Sequence, residues 1–156
     1  MDKIDIGILK LIQTNAELSL REISRRVGIL KTPCWNRIRK LEEIGVINQR
    51  ATLLNRKCLD LPIVVFLSIS VDHHSFEWTV RFDKLIANYD QIVEVHRLTG
   101  SGADYMLKIV ASSIEDYDSF QQVLIEKIKF TSMSSSVSLQ EMKYRVELPF
   151  KQLHVS

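Results

Sequence analysis

Thr32-Pro33-Cys34-Trp35-Asn36-Arg37-Ile38-Arg39-Lys40-Leu41-Glu42 is the stretch on which the architecture of this chain turns. Cys34, Ile38, Leu41 and the following Ile44 recur at i, i+4, i+7 and i+10, the spacing of one buried helical face. Thr32 is the expected N-cap, Pro33 takes the first helical position, where its missing N–H costs nothing, and Gly45 ends the helix. Burying that row turns Trp35, Asn36, Arg39 and Lys40 outward, with Arg37 at the flank, Lys31 just ahead and Thr32 at the tip. These are residue types that contact DNA.

Upstream, Ser19 with Glu22 has the form of a capping box and opens a short helix with Leu20, Ile23 and Val27 inward, stopped by Gly28. Before it, Asp2 or Asp5 caps a first helix carrying Ile4, Ile8, Leu11 and Ile12, expected to end near Asn15. A short helix, a turn of a few residues and a second helix with basic and amide side chains outward make a helix-turn-helix, whose second helix enters the major groove. Val46-Ile47 and Ala51 to Leu54, around Asn48-Gln49-Arg50, are expected as a small wing or linker strand.

From Leu61 the apolar period changes from 3.6 to 2. Ile63, Val65, Leu67, Ile69 and Val71 form one face of a strand, followed by a Ser75-capped helix with Trp78, Phe82, Leu85, Ile86 and Tyr89 inward. A second strand over 92–98, a turn at Thr99-Gly100-Ser101-Gly102-Ala103, and a third strand over 104–110 come next. Ser112-Ser113 then cap a helix burying Tyr117, Phe120, Leu124 and Ile128, and a fourth strand is expected over 137–146. The order βαββαβ is that of a ferredoxin-like unit. Two helices cover one face of such a sheet, and Val64 and Phe66 leave apolar surface on the other, so a symmetric dimer is the economical arrangement. The fold class is therefore α+β: a winged helix-turn-helix domain over 1–50, a linker over 51–60, a ferredoxin-like domain over 61–150 and a tail over 151–156.

The chain has 156 residues, 46% apolar and 26% charged, with a net charge of only +2. That total conceals a division: residues 1–50 hold ten Lys/Arg and six Asp/Glu, residues 51–156 eleven and thirteen. Within 21–40 seven basic residues, Arg21, Arg25, Arg26, Lys31, Arg37, Arg39 and Lys40, stand against Glu22 alone, a footprint for a polyanion. The longest apolar stretch, Leu61 to Val71, falls short of the roughly 20 residues that span a bilayer, and the N-terminus has no apolar signal core. A soluble, cytoplasmic protein with no membrane partner is expected. Cys34 and Cys58 cannot make a disulfide framework, and neither lies in a zinc-binding pair. Cys34 invites a redox reading, but its register favours a buried, inert thiol. His73-His74 are expected on the surface, and His96 as a strand residue that is structural or lines the dimer or ligand surface. No metal site, cofactor or catalytic set of nucleophile, base and orienter emerges, so the chain is not expected to be an enzyme. The competing readings are an amino-acid sensor or allosteric subunit that binds no DNA, and, more weakly, a small enzyme using His96 and Asp104.

These motifs resemble the Lrp/AsnC, or feast/famine, family of transcriptional regulators. Met1-Asp2-Lys3-Ile4-Asp5-Ile6-Gly7-Ile8-Leu9 is similar to the family's LDxxDxxIL start, and Leu20 through Gly28 to its second helix. Thr32 through Glu42, with Gly45-Val46-Ile47, resembles its recognition helix and exit. Thr99-Gly100, Asp104-Tyr105 and Leu107-Lys108 resemble its effector-loop motif, and Glu141-Met142-Lys143 its last strand. The resemblance implies a regulator of double-stranded DNA, with Arg25, Arg26, Lys31, Thr32, Trp35, Asn36, Arg37, Arg39 and Lys40 as the DNA-binding set. It implies assembly with itself as dimers and often as octamers. It further implies an amino-acid effector at Thr99, Gly100, Ser101, Gly102, Asp104 and Tyr105: Asp104 would meet the ammonium, and loop amides with Ser135 and Ser136 the carboxylate. Leu30-Lys31, Gly7 inside the first helix, and an effector loop one residue longer than usual depart from the pattern. Asp72-His73-His74-Ser75-Phe76-Glu77-Trp78, with Arg81-Phe82, resembles a cysteine-responsive subgroup, which implies cysteine as the effector.

Overall fold

A computed structural model describes residues 1–100 and 102–150. Ser101 and the tail 151–156 therefore lie outside the described residues. The described residues divide into two compact units, one of residues 1–53 with 143–150, the other of residues 54–142.

The first unit is built on α1 (Lys3–Thr14), α2 (Leu20–Val27) and α3 (Lys31–Glu43). Asp2 caps α1, its side chain accepting from the Ile4 and Asp5 amides while the Asp5 carboxylate takes the Asp2 N–H, a complete capping box. Ser19 caps α2 through the Glu22 amide, but Glu22 turns its carboxylate to Arg25 and Arg26 rather than closing the box. Gly28 ends α2 in the left-handed region, φ 74°, where a Cβ is costly. The start of α3 differs from expectation. Leu30, extended and with no side-chain cap, precedes a helix that begins at Lys31, so Thr32 is inside it and Pro33 is at the third position. Proline costs no hydrogen bond there, because the first four helical amides lack intrahelical partners.

Ile8, Ile23, Cys34 and Ile38 form the buried centre of this unit, ringed by Ile4, Leu11, Ile12, Leu20 and Val27. Ile6 and Leu9 are buried as well, beyond the expected stripe. Ile44, expected inward, ends α3 and is exposed. Gly7 is explained by packing: a Cβ there would come 3.3 Å from Val27 Cγ1. The segments expected as wing strands form no ladder in the single chain. The Val46 and Ile47 amides instead donate to the Leu41 carbonyl at the helix exit, at 2.9 and 3.1 Å. Farther along, Gln13 exchanges two hydrogen bonds with the Leu148 backbone, which holds the late segment on α1.

The second unit opens with one turn of 3-10 helix (Arg56–Leu59) and continues β1 (Ile63–Ser70), α4 (Phe76–Asn88), β2 (Ile92–Arg97), β3 (Tyr105–Ala111), α5 (Ile114–Lys127) and β4 (Ser132–Val137). The sheet order is β2-β3-β1-β4, and all three pairings are antiparallel. Val65, Leu67 and Ile69 of β1 and Leu107 and Ile109 of β3 are fully buried against Phe82 and Leu85 of α4 and Tyr117, Phe120 and Leu124 of α5. Ser75 caps α4 through the Trp78 amide, and Ser113 caps α5 through the Asp116 amide. The fourth strand is earlier than the apolar pattern indicates: Ser132 to Val137 pairs with β1, Ser132 opposite Ser70 and Val137 opposite Val65. Backbone pairing along an edge does not need apolar side chains, so a serine run takes the strand, while Leu139, Met142, Tyr144 and Val146 stay exposed. Among the described residues no helix is long and apolar enough to cross a membrane.

Candidate functional site

The two units each offer one constellation. In the first it is the outward face of α3. Lys31, Thr32, Trp35, Asn36, Arg39 and Lys40 are all exposed on a helix whose Cys34, Ile38 and Leu41 are buried beneath them. Trp35 and Arg39 are one turn apart, and the guanidinium carbon lies 5.7 Å from the indole centroid, a cation–π distance. Arg39 also reaches Glu42 at 3.8 Å, and Arg50 meets the same carboxylate at 3.3 Å. Lys31 and Lys40 have no carboxylate partner among the described residues.

Arg37, Arg25 and Arg26 are engaged at home. Arg37 Nη1 donates to Asp2 Oδ2 and Asp5 Oδ1, both at 2.7 Å, which ties α3 to the cap of α1. Hydrogen bonds from the Asp5 amide and the Arg37 guanidinium hold the Asp2 carboxyl below its usual range. On α2, Arg25 and Arg26 share Glu22 at 2.7 and 2.6 Å, and their hydrogen bonds lower the Glu22 carboxyl to about 2. Cys34 is completely buried, and burial pushes its thiol up, so it is a packing residue.

In the second unit the loop between β2 and β3 holds Thr99, Gly100, Gly102 and Asp104. Gly100 and Gly102 have φ of 128° and 148°, values side-chain-bearing residues rarely adopt, so the loop is shaped by glycine. Asp104 is fixed on three sides: its amide donates to the Ile69 carbonyl, its carbonyl accepts from Leu98, and Oδ2 accepts from the Val71 amide at 2.7 Å. Ser70 Oγ donates to the Gly102 carbonyl at 3.3 Å. Oδ1 of Asp104 faces His74 Nε2 at 3.5 Å, and His74 Nδ1 lies 3.5 Å from the Tyr105 hydroxyl. Sequence reasoning missed this role for His74. No local spacing signals it, because the contact arises only where the segment between β1 and α4 meets the start of β3.

Ser135 and Ser136 are placed differently. They pair with Leu67 and Phe66 in the middle of β1, whereas the loop adjoins its Ile69 end. The Ser135 hydroxyl is hydrogen-bonded to the Tyr117 hydroxyl at 2.5 Å. His96 pairs with Glu94 at 3.6 Å on β2, and the Lys108 ammonium beside Glu94 lowers that carboxyl. His96 and Asp104 are thus not brought together as an acid–base pair, and no metal-ligating cluster occurs among the described residues.

Comparison with known proteins also divides the chain in two. Residues 1–48 match the family model described as winged helix-turn-helix DNA-binding, and residues 64–148 match that of the Lrp/AsnC ligand binding domain. The glutamate uptake regulatory protein of Zymomonas mobilis is 37% identical over 149 residues, covering 96% of this chain and 90% of that protein. Among solved structures, an AsnC family transcriptional regulator from Agrobacterium tumefaciens superimposes with a TM-score of 0.92 at 36% identity, covering 99% of this chain and all of the other. A Neisseria meningitidis transcriptional regulator in complex with L-Met gives a TM-score of 0.90 at 28% identity, covering 96% and 97% of the two chains.

Proposed function

The chain belongs to the Lrp/AsnC family of transcriptional regulators, and from that premise we propose how its own residues divide the work of a DNA-binding regulator under amino-acid control. The observation that carries the DNA half is the outward face of α3, where Trp35, Asn36, Arg39 and Lys40 stand on a fully buried base. Asn36 and Arg39 read base edges in the major groove, each good bidentate contact contributing about 1–3 kcal/mol of discrimination. Lys31, Thr32 and Lys40 contact phosphates, and Arg25 and Arg26 join them by exchanging Glu22 for phosphate oxygens. Trp35 holds the Arg39 guanidinium against its ring, and Arg37 serves as the strut between α3 and α1.

In the second unit the β2–β3 loop binds an α-amino acid. Asp104 takes the ammonium and the loop amides take the carboxylate, with Thr99, Gly100 and Gly102 of the loop contributing. Ser135 and Ser136 reach such a ligand only where a second copy brings them to this loop. The relative solved with L-Met supports an amino acid as ligand, and the likeness of residues 72–82 to a cysteine-responsive subgroup makes cysteine one candidate. The exposed Phe66 on the uncovered sheet face supports assembly with a second copy, and the two-fold product reads an inverted repeat with half-sites about one helical turn apart. It acts in the cytoplasm as a binding protein without catalytic activity.

A mobility-shift titration tests this reading, using a duplex from upstream of its own reading frame and a random duplex of equal length. The upstream duplex is expected to bind more tightly at physiological salt, with affinity falling steeply as salt rises. Equal binding to both duplexes, with and without added amino acids, would overturn it.

A further inference from the structure

Asp104 has two carboxylate oxygens in different situations. Oδ2 is committed to the backbone, accepting the Val71 amide at 2.7 Å. Oδ1 is the oxygen left for a ligand, and it faces His74 Nε2 at 3.5 Å. His74 is itself held in place. Its Nδ1 is 3.5 Å from the Tyr105 hydroxyl, and its ring meets Tyr105 edge-on at 5.7 Å between centroids and Trp78 at 6.1 Å. Trp78 is stacked on Phe82 at 4.9 Å, and Phe82 belongs to the buried core, so the imidazole leans on fixed aromatic rings. The groups facing the imidazole are Asp104 from the loop, Tyr105 from β3 and Trp78 from α4. Along its own segment the charged or titratable neighbours are Asp72, His73 and Glu77, the last paired with Arg81 at 2.6 Å.

Resting on the assignment of Asp104 to the effector's ammonium, we propose that His74 gates that subsite, admitting an α-ammonium when the imidazole is neutral and excluding it when the imidazole is charged. With the Tyr105 hydroxyl as the donor to Nδ1, the neutral imidazole carries its proton on Nε2. Nε2 then faces Oδ1 at 3.5 Å without a hydrogen bond and leaves the carboxylate's negative charge whole for an ammonium. Adding a proton converts the contact into an ion pair. The Asp104 charge is then spent on the imidazolium, and an arriving ammonium meets a cation beside its acceptor. The imidazole is partly exposed, with 32% of its side chain accessible, so solvent protons reach it without a change of fold. Imidazoles change charge between about pH 5 and 8, a range in which the α-ammonium and α-carboxylate of an amino acid do not.

The experiment uses the full chain and the twenty proteinogenic L-amino acids as probes, screened one at a time by thermal shift at about pH 8, where imidazoles are mostly neutral. The amino acid with the largest shift is then titrated calorimetrically at steps from about pH 8 to 5.5, with His74→Gln, His74→Lys and Asp104→Asn beside the wild type. Melting without ligand at each pH checks that all four are folded. The wild type is expected to lose at least about fivefold in affinity between the two ends of the range. His74→Gln, a neutral donor, is expected to bind across the range without that slope, and His74→Lys and Asp104→Asn to bind at neither end. A flat wild-type profile, a His74→Gln profile as steep as the wild type, or full binding by His74→Lys overturns the gate while leaving Asp104 as the ammonium site. Normal binding by Asp104→Asn, or no response to any of the twenty, overturns the site as well.

Discussion

The two units hold themselves together by different means. The second has thirteen buried residues in one continuous cluster between a four-stranded sheet and two helices. The first buries a cluster of four and adds ionic struts, Arg37 to Asp2 and Asp5 across helices and Glu22 to two arginines along one. Exposed ion pairs contribute little each, typically under about 1 kcal/mol, so the difference is one of function more than of stability. A DNA reader must keep cations at its surface, and carboxylates placed among them hold those cations in defined positions until phosphates replace them. A ligand-binding unit has no such need and is stabilised by apolar burial. The boundary between the units is also where the net charge changes sign along the sequence.

The contrast can be broken at the core first. Leu107, fully buried in β3, is expected to cost about 2–5 kcal/mol on truncation to alanine. The two tryptophans, Trp35 in the first unit and Trp78 in the second, report the units separately. Denaturant melts of Leu107→Ala should move the Trp78 signal to lower denaturant and leave the Trp35 signal in place. A joint shift of both would mean that the units unfold as one. Next comes Arg39→Ala, expected to weaken specific DNA binding by about 1–3 kcal/mol while relaxing base preference at one position of each half-site. A selection of binding sequences with and without the substitution reads this directly.

Smaller effects sharpen the comparison. Arg37→Ala removes the strut between α3 and α1. Its side chain is a third exposed, so the expected loss is about 1 kcal/mol or less, seen in the Trp35 melt and absent from the Trp78 melt. The smallest effect is the acid response of Glu22. Its folded carboxyl is lowered from 4.5 to about 2, so the folded state binds fewer protons there than the unfolded state. The stability this contributes is present above 4.5 and is lost as pH falls toward 2. Asp2, lowered for the same kind of reason, adds in the same direction. Acid titration of the Trp35 melt should be flatter over this window in Glu22→Gln than in the wild type.

Much of the fold was legible because side-chain period and caps agree. Ile8, Ile23, Cys34 and Ile38 sit where a 3.6-residue stripe places them, and Val65, Leu67 and Ile69 where a period of two does. Asp2, Ser19, Ser75 and Ser113 all cap as their spacing indicates. The start of α3 was not legible, since Leu30 caps by backbone geometry without a side-chain signature. Nor was β4, whose serines carry no apolar pattern and become a strand only through the partner β1 offers. In the candidate sites, the outward face of α3 follows from its buried face by subtraction. The pairing of Arg37 with Asp2 and Asp5, 35 and 32 residues away, and the approach of His74 to Asp104 depend on tertiary placement that no local spacing encodes.

The central claim is that the exposed face of α3 confers sequence preference on DNA. Its most direct measurement is fluorescence anisotropy of the full-length protein at about 0.15 M salt, with the upstream duplex and a scrambled duplex, for the wild type and an Arg39→Ala/Lys40→Ala variant. The account predicts that the wild type prefers the upstream duplex by at least about a hundredfold. The variant should lose most of that preference and bind both duplexes more weakly, with its sedimentation unchanged. A variant that keeps the wild-type preference, or a wild type that shows none, would contradict it.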